Sequence, residues 1–378
     1  MIYLDNGATS FPKPESVYSR VDEVQRQMGG NPGRGSHRMA LDAGRVIFEA
    51  RESIARLLTI GDSGRIIFTK SGTEAINLAL KGLLKSGDHL VTTAIEHNAV
   101  ANTVLRLEGE GVGVTRVGTA PDGTVAPDEI GRAIEESTSL VCITHASNLF
   151  GTIEPVGEIA EVCHRRGVPL MIDAAQTVGL LPIDVATLGI DIVAATGHKA
   201  LYGPQGTGFL YVREGIEPLR LIDGGTGEEG ETVEMPERYE SGTMNTPGIG
   251  GLGAGVEFIM SEGVERVRRH EVGLMKEIIE GLEGMRGVNV IGSLDASKRV
   301  SLLSFTVEGR SSGEVGHLLD SEYNIMTRSG LLCTPSAHRV AGTYPDGAVR
   351  VSPGYFTTPL EIEEFLRVME TIVTEGEA

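Results

Sequence analysis

Lys199 closes an apolar run, Asp191-Ile-Val-Ala-Ala-Thr-Gly-His-Lys199, that stops abruptly at Thr196-Gly197-His198. A lysine just past a buried strand, flanked by a small residue and two hydrogen-bonding side chains, sits where the chain emerges into a cleft. Desolvation there lowers the amine pKa and frees the lone pair for Schiff-base chemistry with a carbonyl. Taken alone, a lysine at a strand end is ordinarily a snorkelling surface residue. A second run changes that weighing. In Pro169-Leu-Met-Ile-Asp-Ala-Ala-Gln176, four apolar residues lead into Asp173, with Gln176 three residues on. An isolated aspartate in such a place is usually a cap or turn residue. Here enough chain separates Asp173 from Lys199 for one strand, a crossover and the next strand, so the two side chains can meet at one edge of a sheet. A carboxylate facing a pyridine nitrogen and a lysine holding an aldehyde are what a pyridoxal 5'-phosphate (PLP) site requires.

Other residues extend the pattern. Ser71-Gly72-Thr73 follows an apolar run and opens a helical one. Backbone N–H groups at a helix start, with the helix dipole, form a ready anion site, Gly72 permits close approach and Thr73 adds a hydroxyl. The same triplet is more often a simple helix cap. His97, in Glu96-His-Asn98, stands just beyond another strand and by itself reads as a loop histidine. Of the three cysteines, Cys142 lies inside an apolar strand and Cys163 on a helix, so both read as small core residues. Cys333 differs, because Gly330-Leu-Leu332 before it and Thr334-Pro335 after it place it in a loop.

The ordered set Ser71-Gly-Thr-Glu-Ala-Ile-Asn77, Glu96-His-Asn98, Ser147-Asn-Leu-Phe-Gly151, Asp173-Ala-Ala-Gln176, Thr196-Gly-His-Lys199 and Arg328-Ser-Gly-Leu-Leu-Cys333 resembles the class V aminotransferase-like PLP enzymes of fold type I. Within them it is similar to the cysteine desulfurase and selenocysteine lyase family, with group II desulfurases nearest. The likeness runs in order from Tyr3-Leu-Asp-Asn6 to Arg350 and beyond. It implies that Lys199 carries PLP, that Asp173 faces the ring nitrogen, and that His97 lies against the ring and relays protons. It further implies that Gly72, Thr73, Thr196 and His198 hold the phosphate. Asn148 and Gln176 would bond the phenolic oxygen and its surroundings, Asn148 also facing substrate. Thr243, in Ser241-Gly-Thr243, would reach the phosphate of the neighbouring subunit of a homodimer.

Arg350 resembles the arginine that grips the substrate carboxylate, with Arg328 as a neighbour. The rival for both is a salt-bridged structural arginine. The reaction is not settled by fold, since one PLP architecture serves several chemistries. Cys333 is the discriminator: in desulfurases the corresponding cysteine attacks the sulfur of L-cysteine and becomes a persulfide. The implied activity converts L-cysteine to L-alanine and passes sulfur to an acceptor protein or thiol, as in iron–sulfur cluster assembly. The alternatives are a selenocysteine lyase acting on L-selenocysteine, a class V aminotransferase of small amino acids, and a silent relative serving as a scaffold. One departure stands out. Group II members commonly carry histidine immediately before the cysteine, and here that residue is Leu332, with His338 five residues downstream as the candidate substitute.

These residues need a frame. Apolar runs at 65–69, 89–93, 139–144, 170–173, 190–194 and 208–212 alternate with segments of helical spacing at 74–84, 127–136 and 156–166. This pattern predicts an α/β architecture, a large mostly parallel seven-stranded sheet with helices on both faces. Ligands in such sheets sit beyond the carboxyl ends of the strands. After Pro247 a long helical stretch, roughly 250–284, leads to apolar runs at 300–306 and 347–351 and a last helix at about 360–375. The expected division is a large PLP-binding domain at 16–250 and a smaller α+β domain made of 1–15 and 251–378. The chain has 378 residues, 40% of them hydrophobic, and a formal charge of −19. That balance argues against nucleic-acid binding, no run is long enough for a membrane span, and three cysteines with no secretory pattern at the start suggest a reducing cytoplasm.

Overall fold

The structure is a computed structural model that describes residues 1–33, 35–224 and 234–375. The last three residues of the expected small domain lie outside that set. In chain order the first elements are β1 (Ile2–Tyr3), α1 (Glu15–Gln27), α2 (Arg38–Leu57), β2 (Ile66–Thr69), α3 (Gly72–Leu83), β3 (His89–Thr93), α4 (Asn98–Gly109), β4 (Gly113–Val117), α5 (Pro127–Ala133), β5 (Thr138–Thr144), α6 (Val156–Arg165), β6 (Leu170–Asp173), β7 (Ile192–Thr196) and β8 (Gly208–Val212). After them come α7 (Thr246–Glu262), α8 (Val264–Glu283), β9 (Val288–Ile291), β10 (Leu303–Val307), α9 (Ser312–Ser321), β11 (Ile325–Met326), β12 (Arg328–Gly330), α10 (Pro335–Val340), β13 (Ala348–Val351) and α11 (Pro359–Glu375).

Seven strands form the large sheet in the order β2-β8-β7-β6-β5-β3-β4. β8 runs antiparallel to both neighbours and every other pairing is parallel. Strands β3, β6, β7 and β8 are buried at every residue, as expected where helices cover both faces. The carboxyl ends of β2, β3, β5, β6 and β7 therefore share one edge. Ser71, His97, Asn148, Asp173 and Lys199 all follow or end those strands.

A second sheet, β12-β13-β10-β9, is antiparallel. Leu274 and Ile278 of α8, Leu319 of α9 and Phe365 of α11 join Phe305 of β10 in its core. The first residues of the chain belong beside it: β1 pairs in parallel with β11, and Asp5 bridges Ser352. The stretch expected as one helix over 250–284 is two, broken at Gly263, whose φ of 83° no helix interior accepts. Ile249, Leu252, Val256 and Ile259 of α7 belong to the core under the large sheet, whereas α8 serves the second sheet. A Cβ on Gly255 would collide with the backbone oxygen of Leu201, so only glycine lets α7 lie against the loop that follows Lys199.

Candidate active site

The junction from β2 to α3 makes an anion cradle. Ser71 caps the helix by accepting from Glu74 N at 3.2 Å. The N–H groups of Gly72 and Thr73 come too early in the helix to have intrahelical acceptors. Strand β8 passes directly behind them. A Cβ on Gly208 would lie 2.7 Å from Ser71 C and 3.0 Å from Gly72 N, so glycine is required for that approach. Thr196 Oγ1 and His198 Nδ1 are buried without a hydrogen-bond partner among the described residues. Buried polar atoms are rarely left unpaired, and these two face the cavity the cradle opens onto. Burial pushes the His198 imidazole down to about 4, leaving it neutral. Its carbonyl accepts from Ser10 N at 2.9 Å and Thr9 Oγ1 at 3.1 Å, which pins the loop.

Asp173 ends β6, buried, its Oδ1 accepting from Ala175 N at 3.0 Å. Lys199 is half-buried in the next loop, held by Tyr202 N donating to its carbonyl at 2.9 Å. Burial lowers its amine to about 8, with the Asp173 carboxylate pulling the other way. His97 caps α4 through Nδ1, which accepts from Ala99 N at 3.1 Å. That bond assigns the proton of the neutral ring to Nε2. Burial also lowers the His97 pKa, against the opposing pull of Asp173. Gln176 Nε2 donates to Gly7 O at 3.1 Å, tying the strand-end loop to the N-terminal segment.

The opposite wall comes from the second sheet. Arg350, on β13, is 2% exposed and gives Nη2 to Asp5 Oδ1 at 3.0 Å and Nη1 to Asn148 O at 3.2 Å, while its Nε has no partner among the described residues. Arg328, on β12, brings Nη2 to 3.6 Å from Cys333 Sγ. Cys333 is exposed, whereas Cys142 and Cys163 are buried and burial drives both thiols upward, Cys163 to about 12. Leu332 and Cys333 have φ of 51° and 59°, consecutive left-handed residues without glycine. Each costs about 1–2 kcal/mol against an ordinary conformation, so contacts must hold them. Asn148 Nδ2 donates to Leu332 O at 2.6 Å and Asn98 N to Cys333 O at 2.9 Å.

One cavity of about 220 Å³ is lined by Gly72, Thr73, His97, Asn148, Asp173, Gln176, Thr196, His198, Lys199, Arg328, Cys333 and Arg350. Thr243 does not line it. It stands on an exposed segment, with Asn31 Nδ2 at 3.5 Å. His338 does not line it either: its ring is buried, Nδ1 bonds Thr343 Oγ1 at 2.7 Å, and burial holds it down to about 4. A neutral imidazole turned into the core does not replace the histidine missing before Cys333; the cation beside that sulfur is Arg328. Sequence reasoning passed over Asp5, the partner of Arg350, and Gly7 and Ala8 of the cavity wall. Their signal was Tyr3-Leu-Asp-Asn6, read as part of a likeness but given no role. The residues present fit PLP: the cradle and two orphaned polar atoms suit its phosphate, Asp173 its ring nitrogen and Lys199 its aldehyde. A larger groove of about 1290 Å³ between α1, α2 and α7 lies away from these residues.

Comparison with known proteins points the same way. A protein of Methanothermobacter thermautotrophicus named probable cysteine desulfurase is 35% identical over 386 residues, spanning 99% of this chain and 95% of its own. Cysteine desulfurase IscS of Clostridium botulinum is 32% identical, spanning 99% and 94%. The apo structure of the cysteine desulfurase from Thermococcus onnurineus superposes with a TM-score of 0.93 at 33% identity, covering 99% of this chain and 95% of that one. The family model for class-V aminotransferases matches residues 2–365, and the chain belongs to that family.

Proposed function

We propose that this protein is a PLP-dependent cysteine desulfurase that converts L-cysteine to L-alanine and takes the sulfur onto Cys333. The observation that carries this reading is the place of the Cys333 thiol, exposed, on the same cavity as Lys199 and Asp173 and 3.6 Å from Arg328. PLP, when bound, supplies an electron sink for the substrate's α-carbon. Gly72, Thr73, Thr196 and His198 would hold its phosphate, Asp173 would keep its ring nitrogen protonated, and His97 would stand beside it as a neutral imidazole. Arg350 takes the substrate carboxylate through its unpaired Nε and the edge now shared with Asp5. Lys199, its amine lowered to about 8, removes the α-proton and returns one to carbon, a pKa suited to both directions near neutral pH.

Cys333 Sγ attacks the sulfur of the bound cysteine. A sulfur–sulfur bond forms, the carbon–sulfur bond breaks, and its electron pair returns to carbon, where a proton completes alanine. Arg328 offsets the negative charge on the attacking sulfur. The balance is L-cysteine plus a thiol giving L-alanine plus a persulfide, with no outside oxidant. The persulfide then passes to an acceptor protein or thiol. We assign the working unit as a homodimer in which Thr243 reaches the phosphate site of the partner subunit, and a reducing cytoplasm as its compartment. Among the described residues no helix is long and apolar enough to cross a membrane.

The test is alanine and persulfide formation from L-cysteine with and without Cys333. Cys333→Ser keeps the cofactor absorbance and substrate binding but loses desulfuration by about a thousandfold or more, since a hydroxyl is a poor nucleophile toward divalent sulfur. Cys142→Ser and Cys163→Ser leave turnover largely intact. Parental desulfuration by Cys333→Ser would overturn the reading and favour an aminotransferase. Turnover of L-selenocysteine alone would favour the lyase.

A further inference from the structure

Thr334 follows the strained pair Leu332–Cys333 and stands at the N-cap of α10, with Pro335 at the first helical position. Threonine before proline at a helix start normally turns its hydroxyl onto the helix's own free N–H groups. Here it makes no such bond. The side chain is fully buried, and Oγ1 donates to the carbonyl of Glu96 at 3.0 Å. Glu96 is itself anchored. Its Oε1 accepts from Thr93 Oγ1 at 2.6 Å and from Thr144 N at 2.9 Å, which fastens it between β3 and β5. The next residue is His97, and the one after it, Asn98, gives its N–H to Cys333 O. The tripeptide that carries the cavity-facing imidazole is therefore bonded twice to the loop that carries the thiol.

We infer that Thr334 is a positioning residue for the sulfur-transfer step, its hydroxyl fixing the Cys333 loop to the Glu96–Asn98 segment so that the thiol is registered against His97. The helix start gives up its side-chain cap for this tie. Thr334 does not line the cavity and acts only through the backbone of the loop. This inference rests on the desulfurase reading for its catalytic consequence, but the tie can be measured without any turnover.

The experiment compares Thr334→Val, which keeps the shape and removes the hydroxyl, with Thr334→Ser, which keeps the hydroxyl, both as holoenzyme. Thr334→Ala replaces the valine variant should that fail to give soluble protein. With L-cysteine, Thr334→Val loses about tenfold or more in kcat, the scale of loss that a small misplacement of a reacting group produces. KM and the fast absorbance change on mixing with substrate stay at parental values, because they precede attack by Cys333. Thr334→Ser recovers kcat to within about twofold of the parent. Without substrate, hydrogen exchange at the Asn98 and Thr334 amides, which donate to Cys333 O and Leu331 O, and the rate of Cys333 alkylation by iodoacetamide both rise in Thr334→Val and return in Thr334→Ser. Unchanged exchange and alkylation in the hydroxyl-free variant overturn the inference, even if the parent proves inactive on L-cysteine. An equal fall of kcat in the valine and serine variants, or a change in KM alone, overturns it as well. Loss of desulfuration in the parent itself counts against the desulfurase reading, not against the tie.

Discussion

At the scale of single residues, the site separates two amines that burial lowers alike. Lys199 and Lys13 are both pushed down to about 8, but only Lys199 lines the cavity that holds the cradle and Asp173. In cofactor-free protein, trapping of added PLP by borohydride should rise as pH climbs through about 8, where the Lys199 amine loses its proton. Peptide mapping should place the pyridoxyl group on Lys199, whose lowered amine is free at a pH where an unperturbed lysine is still charged. Label on Lys13, or label that rises only above pH 10, would sink the assignment. Much of the cavity wall was legible in the sequence because Gly72, His97, Asn148, Asp173 and Lys199 each come just past or at the end of an apolar run. It left Asp5 and Thr334 unassigned for a physical reason. Each matters through a partner distant in the chain, Arg350 for one and Glu96 for the other, a pairing that local spacing does not display.

Among the elements, the six apolar strands read from sequence are those with buried neighbours on both sides or an apolar face throughout. The seventh, β4, escaped because it is an edge strand whose Gly113-Val-Thr-Arg-Val117 is exposed or half-buried until its last residue. Helices α1 and α2 were not picked out either. In α1 only Val17 and Val24 are buried, too thin a stripe in a polar segment to announce a helix. The pattern also could not show the break at Gly263, since apolar spacing continues through it. The segment carrying Thr243 raises a question of assembly at this scale, because Thr243 is exposed and away from the cavity of its own subunit. If it completes the partner's phosphate site, mixing inactive Lys199→Ala and Thr243→Ala chains should restore one competent site per heterodimer. No recovery after verified subunit exchange would show that each subunit is self-sufficient.

For the whole molecule, buried titratable groups set how stability answers to pH. Burial raises Glu96, Glu154 and Glu271 to about 8 and lowers His145, His198 and His338 to about 4. A carboxyl whose folded pKa is raised stabilises the fold at low pH and loses that contribution as pH climbs toward the folded value. A histidine whose folded pKa is lowered loses its contribution as pH falls from 6.5 toward that value. The two sets oppose each other between about pH 4.5 and 6.5, and between about 6.5 and 8 the carboxyls dominate, the lowered Lys199 and Lys13 amines acting from about 8 upward. The melting temperature of the cofactor-free chain should therefore fall from pH 6.5 to 8, and less steeply in Glu271→Gln. A melting temperature that rises over that interval would contradict the burial of these carboxyls as neutral acids.

The pairing of Asp5 with Arg350, and of β1 with β11, has a consequence for the order in which activity is acquired during synthesis. Residues 2–5 are synthesised some 320 residues or more before the groups they need, 325–326 and 350. The large sheet, with Lys199 and the phosphate cradle, is complete by residue 212. On the proposed reading, a growing chain thus possesses Lys199 and the phosphate cradle long before it has Arg350 for a substrate carboxylate or Cys333 to receive sulfur.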